Sequence, residues 1–147
     1  MANGDSKWTW KFYAEQVDAI RDLLVKYVKQ DSQNFDIEKY LKICEQLGEE
    51  PDPERMPIEL SGLPVEVQTA FFILGFLPDV WEGMSGTYMG KDWSALEYLM
   101  KLYEIQEPKV VIMFAKMYEK ITVNHRAEKQ EEQRKQAEKR AKAQGGR

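Results

Sequence analysis

Ala70-Phe71-Phe72-Ile73-Leu74-Gly75-Phe76-Leu77 is apolar on every side of a helix. A helix with no polar face normally lies at the buried centre of a domain. Pro64 suits the first turn of this helix, the third in the chain, and Pro78 ends it. Gly75 inside the helix costs about 1 kcal/mol relative to alanine. A close helix crossing at that point would offset the cost.

Working outward, the flanking segments carry helical periodicity. Tyr13, Val17, Ile20, Leu24 and Val28 repeat at helical spacing, with Lys11, Glu15, Asp18, Asp22 and Lys26 on the far side. This predicts a first helix from near Thr9 to about Lys29, broken by Asp31-Ser32-Gln33-Asn34. Asp36 is the expected N-cap of a second helix, and Gly48 its natural C-terminal stop. The segment from Glu49 to Pro57 holds prolines at 51, 53 and 57 and is expected to be an irregular linker.

Downstream, residues 79–91 contain Gly83, Gly86 and Gly90 and are expected to form a loop. Asp92 is suited to cap a fourth helix bearing Trp93, Leu96, Leu99, Met100 and Tyr103, with Ser94 and Glu97 as a competing capping box. Glu107-Pro108 opens a fifth helix, whose apolar positions are Val110, Val111, Phe114, Met117, Tyr118 and Ile121. Large apolar residues stop near Asn124, while strong helix formers continue to Gln144. The expected fold is all-α: a single domain of about five helices with the C-terminal helix extended as a charged arm. Residues 1–8 are assigned as a flexible N-terminus, 9–125 as the helical domain and 126–147 as the arm.

The 147 residues are 43% hydrophobic and 12% aromatic, enough for a core without disulfides or metals. Charge is unevenly placed. From Arg126 onward eight basic and four acidic residues give +4; the whole chain carries −4, so the rest carries −8. An acidic body is a poor general nucleic-acid binder. In the arm, Arg134, Lys135, Lys139, Arg140 and Lys142 are interleaved with Glu128, Glu131, Glu132 and Glu138, and no aromatic side chain is available for base stacking. The arm has no apolar seam for a coiled coil. It reads as a solvated helix or a partner-binding arm. No apolar run reaches the ~20 residues of a membrane span, and residues 1–6 lack the apolar core of a signal peptide. The single cysteine, Cys44, excludes a disulfide within the monomer. A cytoplasmic location is expected.

No catalytic pattern is satisfied. Gly86 precedes Gly90-Lys91 by one residue too few for a phosphate-binding loop, and Asp92 stands where Ser or Thr is required. Gly83-Met84-Ser85-Gly86-Thr87 misplaces the second glycine of a nucleophile elbow and follows a helix rather than a strand. His125 and Cys44 are each the only residue of their type, two donors where a structural zinc site typically takes four from Cys and His. Cys44 falls on the apolar stripe Ile37, Tyr40, Leu41, Cys44, Leu47 and is expected to be a small core residue. Glu49, Glu50 and Asp52 lack the spacing of a calcium loop. No catalytic residue, cofactor or metal is therefore expected. Trp8 and Trp10 either fold back onto the core or anchor a partner.

The run Trp81-Glu82-Gly83-Met84-Ser85-Gly86-Thr87-Tyr88-Met89-Gly90-Lys91-Asp92-Trp93-Ser94-Ala95-Leu96, with the following Glu97-Tyr98-Leu99-Met100-Lys101-Leu102-Tyr103-Glu104-Ile105, resembles small helical proteins of tailed bacteriophages. Those proteins share a tryptophan, a Gly-Met-Gly-rich loop, a Gly-x-Asp-aromatic-x-Ala-Leu element and a Met-x-Leu helix. They are tail assembly chaperones, which keep the tape-measure protein soluble while the tail tube polymerises around it. The similarity spans about 25 residues; the loop has an extra residue before Gly90, and the N-terminal half and arm lie outside it. It implies a non-enzymatic protein that binds the tape-measure or tail-tube protein in the host cytoplasm. The partner surface would comprise Trp81, Met84, Tyr88, Met89 and Trp93, because methionine and aromatic surfaces adapt to varied helices. The alternatives are a structural component of the virion and a nucleic-acid or transcription accessory protein acting through the arm. The sequence leaves the oligomeric state open.

Overall fold

The computed structural model describes the backbone of residues 2–32 and 36–146, with side chains for residues 15–31 and 36–146. Five α-helices dominate: α1 (Ala2–Ser32), α2 (Ile37–Leu47), α3 (Val65–Leu74), α4 (Leu96–Leu102) and α5 (Pro108–Gly145). A short 3-10 turn spans Leu60–Gly62, and two strands, β1 (Asp79–Trp81) and β2 (Tyr88–Lys91), lie between α3 and α4. The chain divides into two compact units, residues 1–62 and 63–147.

In the first unit, α1 begins at Ala2 rather than near Thr9. Its expected stripe is largely buried: Ile20, Leu24 and Val28 are each less than a tenth exposed. The side chains of Trp8, Trp10 and Tyr13 lie outside the described residues, as do residues 33–35. The caps of α2 form as the sequence predicts. The Asp36 carboxylate accepts the Lys39 backbone N–H at 2.8 Å, and Gly48 takes up φ 69°. Tyr40 and Cys44 are buried, but Leu41 and Leu47, on the same predicted stripe, are exposed. The irregular linker is tied down by polar side chains. Gln30 of α1 donates to the Ile58 carbonyl and accepts the Ile58 N–H. The Tyr40 hydroxyl accepts the Asp52 N–H at 3.0 Å.

The second unit is built on α5. α3 and β2 both pack along it, and α3 also touches α4. Val67, Ala70, Ile73, Leu74 and Leu77 on the α3 side meet Val110, Val111, Phe114 and Ala115 of α5 as the buried set. Burying a side chain of this size contributes about 1.5–3 kcal/mol. The expectation that Ala70–Leu77 is buried all round needs correction. Phe72 is 48% exposed and Phe76 47%. Gly75 marks the end of α3; among the described residues a Cβ there would meet Phe72 O at 3.4 Å and Phe71 O at 3.7 Å, both of its own helix, and no helix crosses at that point. One face of α3 suffices to cover α5, so the opposite phenylalanines remain outside.

Residues 79–91, expected to be a loop, form an antiparallel hairpin. Asp79 pairs with Lys91, Val80 with Gly90 and Trp81 with Tyr88, with a bulge between Val80 and Trp81. Strands of three and four residues with a bulge between them are too short to show a period-two pattern in sequence, although in β2 Tyr88 is buried and Met89 exposed. The expected start of α4 also moves. Asp92 accepts from the Ser94 N–H at 2.9 Å in a local turn, and the helix opens only at Leu96, leaving Trp93 outside it. At its other end, Ile105 N–H reaches Met100 O and Glu104 N–H reaches Lys101 O. This is the double hydrogen bond that usually places glycine at the left-handed position. α2 closes the same way with Gly48, but α4 places Glu104 there, at φ 47°. α5 then runs unbroken for 38 residues.

Candidate functional site

The hairpin is held to α5 by three residues spaced along the helix, Glu119, Arg126 and Gln130, and this fixes what it can present. Glu119 is the first. One of its carboxylate oxygens accepts the Lys91 backbone N–H at 2.8 Å and the Trp93 indole N–H at 2.6 Å. Gly90 makes room for it. Its φ is +107°, a region that L side chains rarely enter, and a Cβ would sit 2.9 Å from the Glu119 oxygen. Lys116, one turn earlier, holds its ammonium 3.9 Å over the Trp93 ring.

Arg126 is the second anchor. Its guanidinium lies 4.2 Å over the Tyr88 ring and 5.4 Å over Trp81. Beneath it, the Tyr88 hydroxyl donates to Asp79 at 2.8 Å, and Lys91 Nζ reaches the same carboxylate oxygen at 3.0 Å. Burial of Asp79 opposes its charge, but the hydrogen bonds from Lys91 and Tyr88 and the charges of Lys91 and Arg126 together hold its carboxyl below the usual range. Burial, then the hydrogen bond to Asp79, pushes the Tyr88 hydroxyl well above the ordinary tyrosine value. Gln130 is the third anchor, donating to the Ser85 carbonyl at 3.0 Å and accepting from Thr87 at 3.2 Å. The hairpin tip is ordered from within by Glu82, whose carboxylate accepts the N–H groups of Met84 and Ser85 and the Ser85 hydroxyl.

Of the five residues singled out from the sequence, the structure presents three to solvent. Met84 is 98% exposed, Met89 58% and Trp81 53%. Tyr88 is buried and takes part in the anchoring network. Trp93 is half-buried and bound to Glu119. Sequence reasoning did not single out Glu119, Arg126, Gln130 or Asp79. The available signal was Gly90, since a glycine inside a strand often marks a close approach by another group. A second exposed set, also missed, consists of Phe72, Phe76 and Tyr103. Phe72 packs edge-on against Phe76 at 5.1 Å and against Tyr103 at 5.0 Å, and Phe76 stacks on Tyr103 at 5.4 Å.

Elsewhere, Cys44 is buried and unbridged. Among the described residues no cluster of three or more His, Cys, Asp or Glu is arranged to hold a metal ion, and no helix is long and apolar enough to cross a membrane. In the first unit, a cavity of about 290 Å³ is lined by Tyr27, Gln30, Asp31, Asp36, Ile58 and Glu59 among others. Burial, and then the Asp31 charge, raise the pKa of Tyr27 there. Comparison with known proteins yields no match: no family model, curated protein or solved structure aligns with the chain.

Proposed function

We propose that this chain is a non-enzymatic protein-binding protein, a bacteriophage tail assembly chaperone that holds helical segments of the tape-measure protein in the host cytoplasm. The observation that carries this reading is the hairpin: Trp81, Met84 and Met89 stand exposed on a backbone that Glu119, Arg126 and Gln130 fasten to α5. Ordinarily, exposed large apolar side chains are left scattered. Here they are grouped on a pre-ordered element, which lowers the entropy lost on binding. Methionine adapts to partners of varied shape, as a chaperone of a long repetitive helical protein requires. Tyr88 and Trp93 act in this reading as the frame, and the charged arm keeps the complex soluble or recruits tube subunits.

Co-expression with the tape-measure protein tests the proposal. Wild type should keep that protein in the soluble fraction and co-purify with it. Met84→Gln with Met89→Gln, which touches none of the anchoring contacts, should weaken the complex by about 2 kcal/mol, roughly 30-fold. A tape-measure protein equally soluble with and without this chain would sink the idea. So would recovery of the chain at fixed stoichiometry in purified particles, which identifies a virion component instead.

A further inference from the structure

We propose that Met84, and after it Met89, is a site of reversible oxidation: a hydroperoxide converts the thioethers to sulfoxides and so switches off the apolar surface of the hairpin. The effect on a partner rests on the function proposed above; the modification itself does not.

Exposure singles out these two side chains. The oxidant must reach a sulfur lone pair, so reaction follows accessibility. Met84 is 98% exposed and Met89 58%, whereas Met56, Met100, Met113 and Met117 are only part-exposed. The tip around Met84 is uncrowded: a Cβ placed at Gly83 or Gly86 would meet nothing within 4 Å beyond its chain neighbours. A small reagent and a repair enzyme can both approach it. The thiol that would compete for peroxide is withheld, since Cys44, the single cysteine, is 7% exposed.

The chemistry balances. A methionine sulfur lone pair attacks one oxygen of hydrogen peroxide and the O–O bond breaks. One oxygen stays on sulfur and the other leaves as water, so sulfur is oxidised and the peroxide reduced. Return requires a methionine sulfoxide reductase with a dithiol, which removes the oxygen as water and leaves a disulfide.

The setting makes this change a switch rather than damage. A sulfoxide inside a core disrupts packing. Here the hairpin is held by Glu119, Arg126 and Gln130 and ordered by Glu82. Those contacts use the backbone of Met84, Ser85 and Lys91 and side chains other than the two methionines. In β2, Met89 is exposed between buried Tyr88 and buried Gly90. Oxidation therefore turns the surface from apolar to polar and leaves the frame in place.

Dilute hydrogen peroxide applied to the folded full chain, followed by peptide mapping with mass spectrometry, tests the site. Met84 should oxidise first and Met89 second, with the four part-exposed methionines at least about fivefold slower than Met84. Met1 lies outside the described residues and is left out of this ranking. In denaturant the differences should vanish. The oxidised chain should keep its far-UV spectrum and elute earlier from a hydrophobic-interaction column. It should bind the tape-measure protein about tenfold or more weakly. Methionine sulfoxide reductases with dithiothreitol should restore elution and affinity. Met84→Leu with Met89→Leu, compared with itself before and after peroxide, should show no shift in either. Uniform oxidation of the methionines in the folded chain, or a slow Met84, would overturn the site. Oxidation of Met84 and Met89 that leaves elution and affinity unchanged, or an equal shift in the leucine pair, would overturn the switch. A reduced chain that never binds the tape-measure protein, while mapping and elution behave as expected, would refute the function proposed above and leave the modification site standing.

Discussion

The two halves of α5 share one unbroken backbone but differ in what keeps them helical. Between Val110 and Gln130 the helix buries Val110, Val111, Phe114, Ala115 and Thr122, and it uses Glu119, Arg126 and Gln130 to fasten the hairpin. From Glu131 to Gly146 every residue is exposed. There Arg134 bridges to Glu131 at 2.6 Å and Glu138 at 2.7 Å, contacts between neighbours on one helix surface. The first half is fixed by partners distant in sequence, the second by its own propensity and short-range pairs. Tertiary packing usually supplies most of a helix's stability, so mutations in the two halves should have very different consequences.

The largest expected effect is at Glu119. Glu119→Ala strands the Trp93 indole N–H and the Lys91 backbone N–H, both part-buried. Leaving two such donors unpaired should lower the unfolding free energy by about 2–3 kcal/mol, measurable as a drop in denaturant midpoint followed by tryptophan fluorescence. Gly90→Ala attacks the same contact from the other side. The left-handed backbone and the displaced carboxylate should together cost about 2 kcal/mol. Because both substitutions disrupt one contact, the double variant should be less destabilised than the two added together, and a double-mutant cycle reads that difference. Strict additivity would show that Gly90 and Glu119 are not coupled as their geometry indicates.

A smaller, pH-dependent effect should come from the network under Arg126. The Asp79 carboxyl is held below its usual value when folded. Its contribution is therefore present above about pH 4 and lost as pH falls through the folded value. Tyr88 behaves oppositely. Its raised pKa means that its contribution is present below about pH 10 and lost at higher pH. Wild-type stability should fall at both extremes, and Asp79→Asn should flatten the acid limb; melting midpoints across pH measure both. Equal acid sensitivity in Asp79→Asn and wild type would remove Asp79 from the account.

This contrast also marks what the sequence could reveal. The Ile20, Leu24 and Val28 stripe of α1, the Asp36 and Gly48 caps of α2 and the continuous α5 follow from local periodicity and terminal chemistry, whereas the α2 stripe is buried only at Tyr40 and Cys44, with Leu41 and Leu47 exposed. The hairpin is not legible in this way. Asp79–Trp81 and Tyr88–Lys91 are too short to show a period-two pattern in sequence, and what holds them in place is a carboxylate 28 residues from Lys91 and a guanidinium two helical turns beyond it. Phe72 and Phe76 failed for a related reason. Apolarity all round α3 says that the helix can be buried on any side, but which side is covered depends on where α5 lies. Within the candidate surface, Trp81, Met84 and Met89 were identifiable by residue type; that Tyr88 would turn inward depended on Asp79 and Arg126.

The smallest effect should come from cutting the second half of α5 away. Ending the chain at Gln133 removes Arg134 with both of its ion pairs, yet keeps Glu119, Arg126 and Gln130 and their grip on the hairpin. Exposed pairs of this kind contribute little to stability, and their loss is partly offset because the removed residues no longer need ordering. The melting midpoint should therefore move by no more than a few degrees, while helical ellipticity falls in proportion to the residues removed. Raising the salt concentration should weaken those pairs in the intact arm and bring the two chains closer still. If truncation instead lowered stability as much as Glu119→Ala does, the outer half would have to make contacts beyond its own helix surface, and the division of α5 into an anchored half and a self-supported half would fail.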